Sequence, residues 1–191
     1  METTATDLKG VLILEPKVFK DQRGFFMETY QQPRYRAAGI RTEFVQDNLS
    51  RSTRGTLRGL HFQIRHPQAK LVQVLAGEVF DVAVDLRAGS PSFGRWAGAR
   101  LSAANHRQFY IPAGFAHGFA VLSETALFAY KCSEVYHPED EGGLLWSDPV
   151  LAIDWPVEAP VLSDKDAAYP RLGQLTPEQL PQVRYRAEEE R

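Results

Sequence analysis

From residue 11 to about residue 130 the chain alternates apolar and polar positions in short runs broken by Gly, Pro, Asn and Asp. That period of two is the mark of half-buried β-strands. "VLILEPKVF", "KLVQVLAGEVFDVAVDL", "RQFYIPAGFAHGFAVL" and "ALFAYKCSEVY" carry it most clearly. In the second run Phe80, Val82, Val84 and Leu86 point one way while Asp81 and Asp85 point the other, and Ala76-Gly77 reads as the turn of a β-hairpin. Helical signals are sparse: "PRYRAAG" makes a short turn ending at Gly39, and "TPEQL" offers Thr176 as N-cap, Pro177 at the first position and Gln179 to complete a capping box. Pro181 limits that helix, and the closing "AEEER" reads as a frayed charged tail. Many short antiparallel strands of this kind close into a sandwich or barrel. We expect an all-β chain with one domain over residues 1–191, a barrel core over about 10–150 and a thin C-terminal cap over about 151–185.

Composition narrows the class. The chain has 191 residues, 43% of them hydrophobic, which suits one domain with a substantial core. Its net charge of −2 is spread along the chain, so no nucleic-acid surface or polybasic membrane anchor is expected, and an anionic ligand would need a local pocket. The start "METTATDLKG" lacks the basic and apolar regions of a signal peptide, and no apolar run approaches the roughly 20 residues that span a bilayer. We expect a soluble, cytoplasmic protein. Cys132 is the only cysteine, which excludes an internal disulfide and favours a buried structural thiol.

Five histidines, His61, His66, His106, His117 and His137, first suggest a metal, but no His-x-His pair aims two imidazoles at one face. Without a metal, His61 in "RGTLRGLHFQ" is a core histidine or a general base, and a base needs companions. Lys70 shares a strand face with Val72 and Val74; on an interior face its ammonium is expensive to bury unless an anion lies beside it, and at the strand mouth it stands in water. Tyr130 alternates with Phe128 and Cys132, so its hydroxyl also faces inward as a core phenol or a general acid. A base, a cation for an oxyanion and an acid together form the set that removes and returns a proton beside a carbonyl. Arg23 and Arg58 are candidates for phosphate oxygens. Arg58 and His61 are three apart, so a regular strand would aim them to opposite sides; either a bulge at Gly59 realigns them or Arg58 serves a neighbouring subunit. Asp166 in "LSDKD", Asp81 and Asp85 all compete to orient His61.

"DNLSRSTRGTLRGLHFQ", "KLVQVLAGEVFDVAVDLRAGSPSFGRW", "IPAGFAHGF", "FAYKCSEVYHPEDEGGLLWSD" and "LSDKDAAYP", in this order, closely resemble the dTDP-4-dehydrorhamnose 3,5-epimerases over roughly residues 10–170. The resemblance implies a cupin-type jelly-roll barrel, a homodimer that exchanges N-terminal strands, and catalysis without metal or cofactor. It implies His61 as base, Tyr130 as acid, Lys70 at the enolate oxygen and Asp166 paired with His61. It also implies contacts to the dTDP-sugar from Arg23, Glu28, Gln46, Asp47, Asn48, Arg58, His117, Glu141 and Lys165, with Tyr136 stacking on thymine. Arg23 and Glu28 are the ones expected to serve the partner's pocket. Leu49, where many relatives carry histidine, and Cys132 depart from the family pattern. They leave open a single-position C3 or C5 epimerase, and a non-catalytic nucleotide-sugar-binding cupin stands as the alternative from another class.

Overall fold

The computed structural model describes residues 1–185. In chain order the strands are β1 (Glu2–Ala5), β2 (Leu12–Glu15), β3 (Val18–Asp21), β4 (Gly24–Met27), β5 (Gln46–Thr53), β6 (Leu57–Gln63), β7 (Lys70–Ala76), β8 (Glu78–Asp85), β9 (Trp96–Ser102), β10 (Gln108–Ile111), β11 (Phe115–Val121), β12 (Thr125–Cys132) and β13 (Glu141–Gly143). Two short helices accompany them, α1 (Gln32–Ala37) between β4 and β5 and α2 (Asp164–Ala168) after β13. They form a six-stranded sheet in the order β1-β2-β10-β7-β12-β5, facing a five-stranded sheet in the order β13-β6-β11-β8-β9. All pairings within them are antiparallel, as expected of a jelly roll.

Strand parity behaves as the sequence predicts, and the two inner faces meet in a barrel core. Phe109 from β10, Phe119 from β11 and Phe128 from β12 are almost fully buried there, and Phe119 stacks on Phe128 with centroids 4.1 Å apart. Each such ring contributes roughly 2–3 kcal/mol by leaving water. The aromatic plug fills one part of the interior, and polar side chains occupy the rest.

The hairpin expected at Ala76-Gly77 does not form. β7 pairs with β10 and β12 in one sheet, whereas β8 pairs with β11 and β9 in the other, so the chain turns a corner between sheets at Gly77. Gly77 has φ 81°, and a Cβ there would collide with the Thr125 carbonyl oxygen. Alternation reports which face a residue takes and says nothing of which strand lies beside it.

β8 is buried on both sides. Val82, Val84 and Leu86 lie outside the barrel under a layer that includes Leu144, Leu151, Trp155, Leu172 and Leu175. The Thr176 capping box forms around a single 3-10 turn, Pro177–Gln179. α1 ends before Gly39, whose φ is 95°, and its Tyr35, together with Ile40 just after the turn, packs over Leu71 on the outer face of the six-stranded sheet. The "AEEER" tail lies outside the described residues.

Candidate active site

An open cavity of about 300 Å³ lies between the sheets, with His61 and Gln63 of β6 on one wall and Lys70 of β7 and Tyr130 of β12 on the other. His61 is reached by a break in β6: the pairing to β11 runs His117 to His61 and then Phe119 to Arg58, so one extra residue of β6 is accommodated. Gly59 sits in that bulge with φ 114°, and a Cβ there would stand 2.6 Å from the His117 carbonyl oxygen. The bulge resolves the parity conflict, because Arg58 Nε reaches Ser52 Oγ on the opposite sheet at 3.0 Å. Arg58 and His61 therefore share one face of β6, with the Arg58 side chain exposed.

His61 Nε2 lies 2.6 Å from Asp166 Oδ1. Asp166 is held in turn by α2, whose N-cap Ser163 accepts the Asp166 N–H on its Oγ at 3.1 Å. Burial would raise the Asp166 carboxyl, but the bonds from His61, Ser163 and the Gly59 backbone outweigh it and lower it below the ordinary carboxylate range. A carboxylate only accepts, so Nε2 carries the proton of this bond, and in the neutral imidazole Nδ1 is the nitrogen left to accept. The rivals are occupied elsewhere: Asp81 faces His117 Nε2 at 3.0 Å, and Asp85 is bound by Arg87, Ser90 and Ser92.

Across the cavity, Lys70 is paired through its backbone in β7, and among the described residues its ammonium meets Cys132, Asp81 and Glu141 only through charge. Burial lowers its ammonium below the usual lysine range, with Cys132, Asp81 and Glu141 pulling the other way. Burial, with Cys132 adding to it, raises the Tyr130 phenol above the ordinary tyrosine range. Cys132 is buried beside them, accepting a weak bond from Asn48 Nδ2 at 3.6 Å.

Glu141 closes the mouth as a hub, taking Lys165 Nζ at 2.8 Å and the Tyr136 hydroxyl at 2.6 Å. Burial would raise Glu141, and these two donors lower it instead. The bond to Glu141 pushes the Tyr136 phenol up to about 12. The Tyr136 N–H donates to Gln46 Oε1 at 2.9 Å, so its half-exposed ring stands braced at the rim. A second opening of about 460 Å³ beside His61 is lined by Arg58, Lys165 and Asp166.

A sequence model of dTDP-4-dehydrorhamnose 3,5-epimerases matches residues 5–174. The chain belongs to the dTDP-4-dehydrorhamnose 3,5-epimerase family. It is 58% identical to the enzyme of that name from Pseudomonas aeruginosa, over 87% of this chain and 93% of the relative. It is also similar to the crystal structure of a Legionella pneumophila dTDP-6-deoxy-D-glucose-3,5-epimerase in complex with dTDP-4-keto-L-rhamnose, at 56% identity and a TM-score of 0.93 over 97% and 99% of the two chains. A 3'-monoepimerase from Streptomyces bikiniensis in complex with dTDP-quinovose is more distant, at 36% identity and a TM-score of 0.84 over 92% and 91%.

Not every residue expected from the epimerase resemblance joins this cavity. Gln46 and Asn48 line it, but Asp47 between them falls on the outer face of β5 and pairs with Lys131 at 2.9 Å, as strand parity requires. His117 is 6% exposed, its ring turned onto Asp81 and stacked on Phe128. It therefore stands behind the cavity wall. Arg23 and Glu28 lie on and beside the β3–β4 ribbon, which belongs to neither sheet, and they pair locally with Asp21 and Arg34. Among the described residues no three His, Cys, Asp or Glu side chains form a group that could hold a metal ion. Among the described residues no helix is long and apolar enough to cross a membrane.

Three residues were missed. Gln63 ties the rim loop together, donating to the His66 carbonyl at 2.7 Å and accepting the His137 N–H at 2.7 Å. Its position two beyond His61 on one strand face was the available signal. Asp140 gathers the Arg65 and His66 N–H groups, and Tyr169 touches both His61 and Glu141. No local pattern marks either, because their partners are distant in sequence.

Proposed function

We propose that this chain epimerises dTDP-4-dehydro-6-deoxy-D-glucose at C3 and C5 to dTDP-4-dehydro-L-rhamnose, in dTDP-L-rhamnose biosynthesis, without a cofactor. One observation carries the reading: His61 stands on one sheet and Tyr130 and Lys70 on the other, with a single cavity between them. A sugar ring held there presents one face to a base and the other to an acid.

The C4 ketone acidifies the hydrogens on C3 and C5. His61 Nδ1 takes one of them, the C–H electron pair moves into a C–C double bond, and the carbonyl oxygen becomes an enolate oxygen. Asp166 stabilises the imidazolium that results. Lys70 supports the enolate, and one well-placed donor of this kind supplies roughly 3–4 kcal/mol. The Tyr130 hydroxyl then gives its proton to the carbon from the opposite face, which restores the ketone and inverts the centre. Solvent reprotonates the phenolate and His61 loses its proton to water before the second carbon is processed.

Arg58 and Lys165 suit the diphosphate, and Tyr136 offers a ring to the base. Arg23 and Glu28 would act in a partner's cavity. The homodimer with exchanged N-terminal strands is supported by the β3–β4 ribbon, which exposes Phe19, Phe25 and Phe26 at 53%, 59% and 70%. A cytoplasmic location belongs to the same reading.

Running the reaction in heavy water tests it. Deuterium at both C3 and C5 of the product is the expected result, label at one position makes the chain a monoepimerase, and no turnover leaves a binding protein. Sedimentation at micromolar concentration checks the dimer.

A further inference from the structure

Tyr169 takes no part in the chemistry proposed above, yet it is built tightly into the site. Its ring stands edge-on to the His61 imidazole, with centroids 5.7 Å apart and planes at 68°. Its hydroxyl donates to Glu141 Oε1 at 3.3 Å, the same oxygen that receives Lys165. A Cβ on Gly143 of β13 would run into the Tyr169 ring, so the glycine leaves the ring its seat. Just beyond, the Leu145 N–H donates to the Pro170 carbonyl at 2.8 Å and pins the segment to the sheet.

A hydrogen bond at one ring nitrogen fixes a point on an imidazole but leaves its plane free to tilt. The His61 side chain lines the cavity and is 29% exposed, so the cavity leaves part of the ring uncovered. Tyr169 and Asp166 are three residues apart on and just after α2, and both meet His61: one holds Nε2, the other bears on the ring. We infer that Tyr169 is a positioning residue for the base, setting the plane of the His61 ring so that Nδ1 stays aimed into the cavity while Nε2 stays on Asp166. This rests on His61 being the base.

The test compares Tyr169→Leu with Tyr169→Phe in the full-length enzyme. Misplacement of a reacting group by an ångström can cost about 100-fold in rate, so Y169L should lose at least about tenfold in kcat with KM within about twofold of wild type. Y169F keeps the ring and should recover most of that loss. The imidazole ¹⁵N–¹H spectrum, with the His61 signals identified by their absence in His61→Asn, should keep the Nε2–H on Asp166 in all three proteins and show a shifted or broadened His61 signal in Y169L alone, as the ring loses its fixed plane. Wild-type kcat and a wild-type His61 signal in Y169L would overturn the inference. Equal losses in Y169L and Y169F would overturn it too, by tracing the effect to the hydroxyl on Glu141. If Y169L does not fold, Tyr169→Met fills the space without a flat face and is read the same way. Wild-type turnover in H61N would instead sink the reading of His61 as base, a result distinct from any of these.

Discussion

His61 and His117 are direct cross-strand partners on β6 and β11, and each imidazole is held by a different carboxylate. His61 with Asp166 opens onto the cavity, while His117 with Asp81 is sealed in the core, its side chain 7% exposed. The two pairs look alike and should fail differently. His61→Asn should reduce turnover by on the order of 10³-fold with a modest change in stability, since water can reach Asp166 from the cavity. His117→Ala leaves Asp81 buried without its partner and should cost about 3 kcal/mol, read from urea unfolding. Equal stability losses would argue against this division.

Lys70 is held where its charge is costly, and that cost is an opportunity for the chemistry. Lys70→Met should raise the melting temperature while lowering kcat by roughly 10²–10³-fold, because the methionine fills the site without a buried ammonium and offers nothing to an enolate. Burial lowers the Lys70 pKa, so wild-type kcat/KM should begin to fall on the alkaline side below the ordinary lysine value of about 10.4. Lys70→Arg should move that decline to higher pH. A methionine variant that is less stable, or an alkaline limb unmoved by arginine, would count against the role given to Lys70.

Tyr130 and His61 lie on opposing sheets, which separates proton removal from proton return. Tyr130→Phe leaves the base and Lys70 intact, so the substrate should still exchange C3 or C5 hydrogen with heavy water through abstraction and return on the same face. Net inversion should fall by about 10²–10³-fold. Mass spectrometry of recovered substrate, set beside product formation, separates the two events. Loss of exchange in step with inversion would mean that Tyr130 does more than donate the second proton.

Asp140 makes the rim of the site a sensor of acid. Burial would raise its carboxyl, but donation from the backbone and side chains of Arg65 and His66 holds it at about 2. Its folded pKa lies below the unfolded value of about 3.9, so its contribution is complete above that value and is lost as pH falls toward about 2. Asp140→Asn removes this contribution and should raise the midpoint of acid unfolding. The difference in stability between the two proteins should shrink between about pH 4 and pH 2, as urea titrations at successive pH values would reveal.

Face assignment was legible in the sequence wherever a strand was regular. Lys70 with Val72 and Val74, and Tyr130 with Phe128 and Cys132, turn inward together as their spacing requires. The Arg58–His61 conflict was legible as well, together with the glycine that relieves it, since only an irregularity in β6 lets residues three apart share a side. Asp47 shows the same rule in reverse: the resemblance grouped it with Gln46 and Asn48, and parity sends it outward to Lys131.

The sequence by itself determined the strand period, the inward set of polar residues and the family to which they belong. Only the tertiary structure decided that β7 and β8 part into different sheets at Gly77, that Asp166 rather than Asp81 or Asp85 meets His61, and that Tyr169 bears on the same ring. The reason is physical. Alternation follows from the geometry of neighbouring residues on one strand, whereas the His61–Asp166 contact joins positions 105 residues apart and exists only once both sheets have closed and α2 has docked on β6.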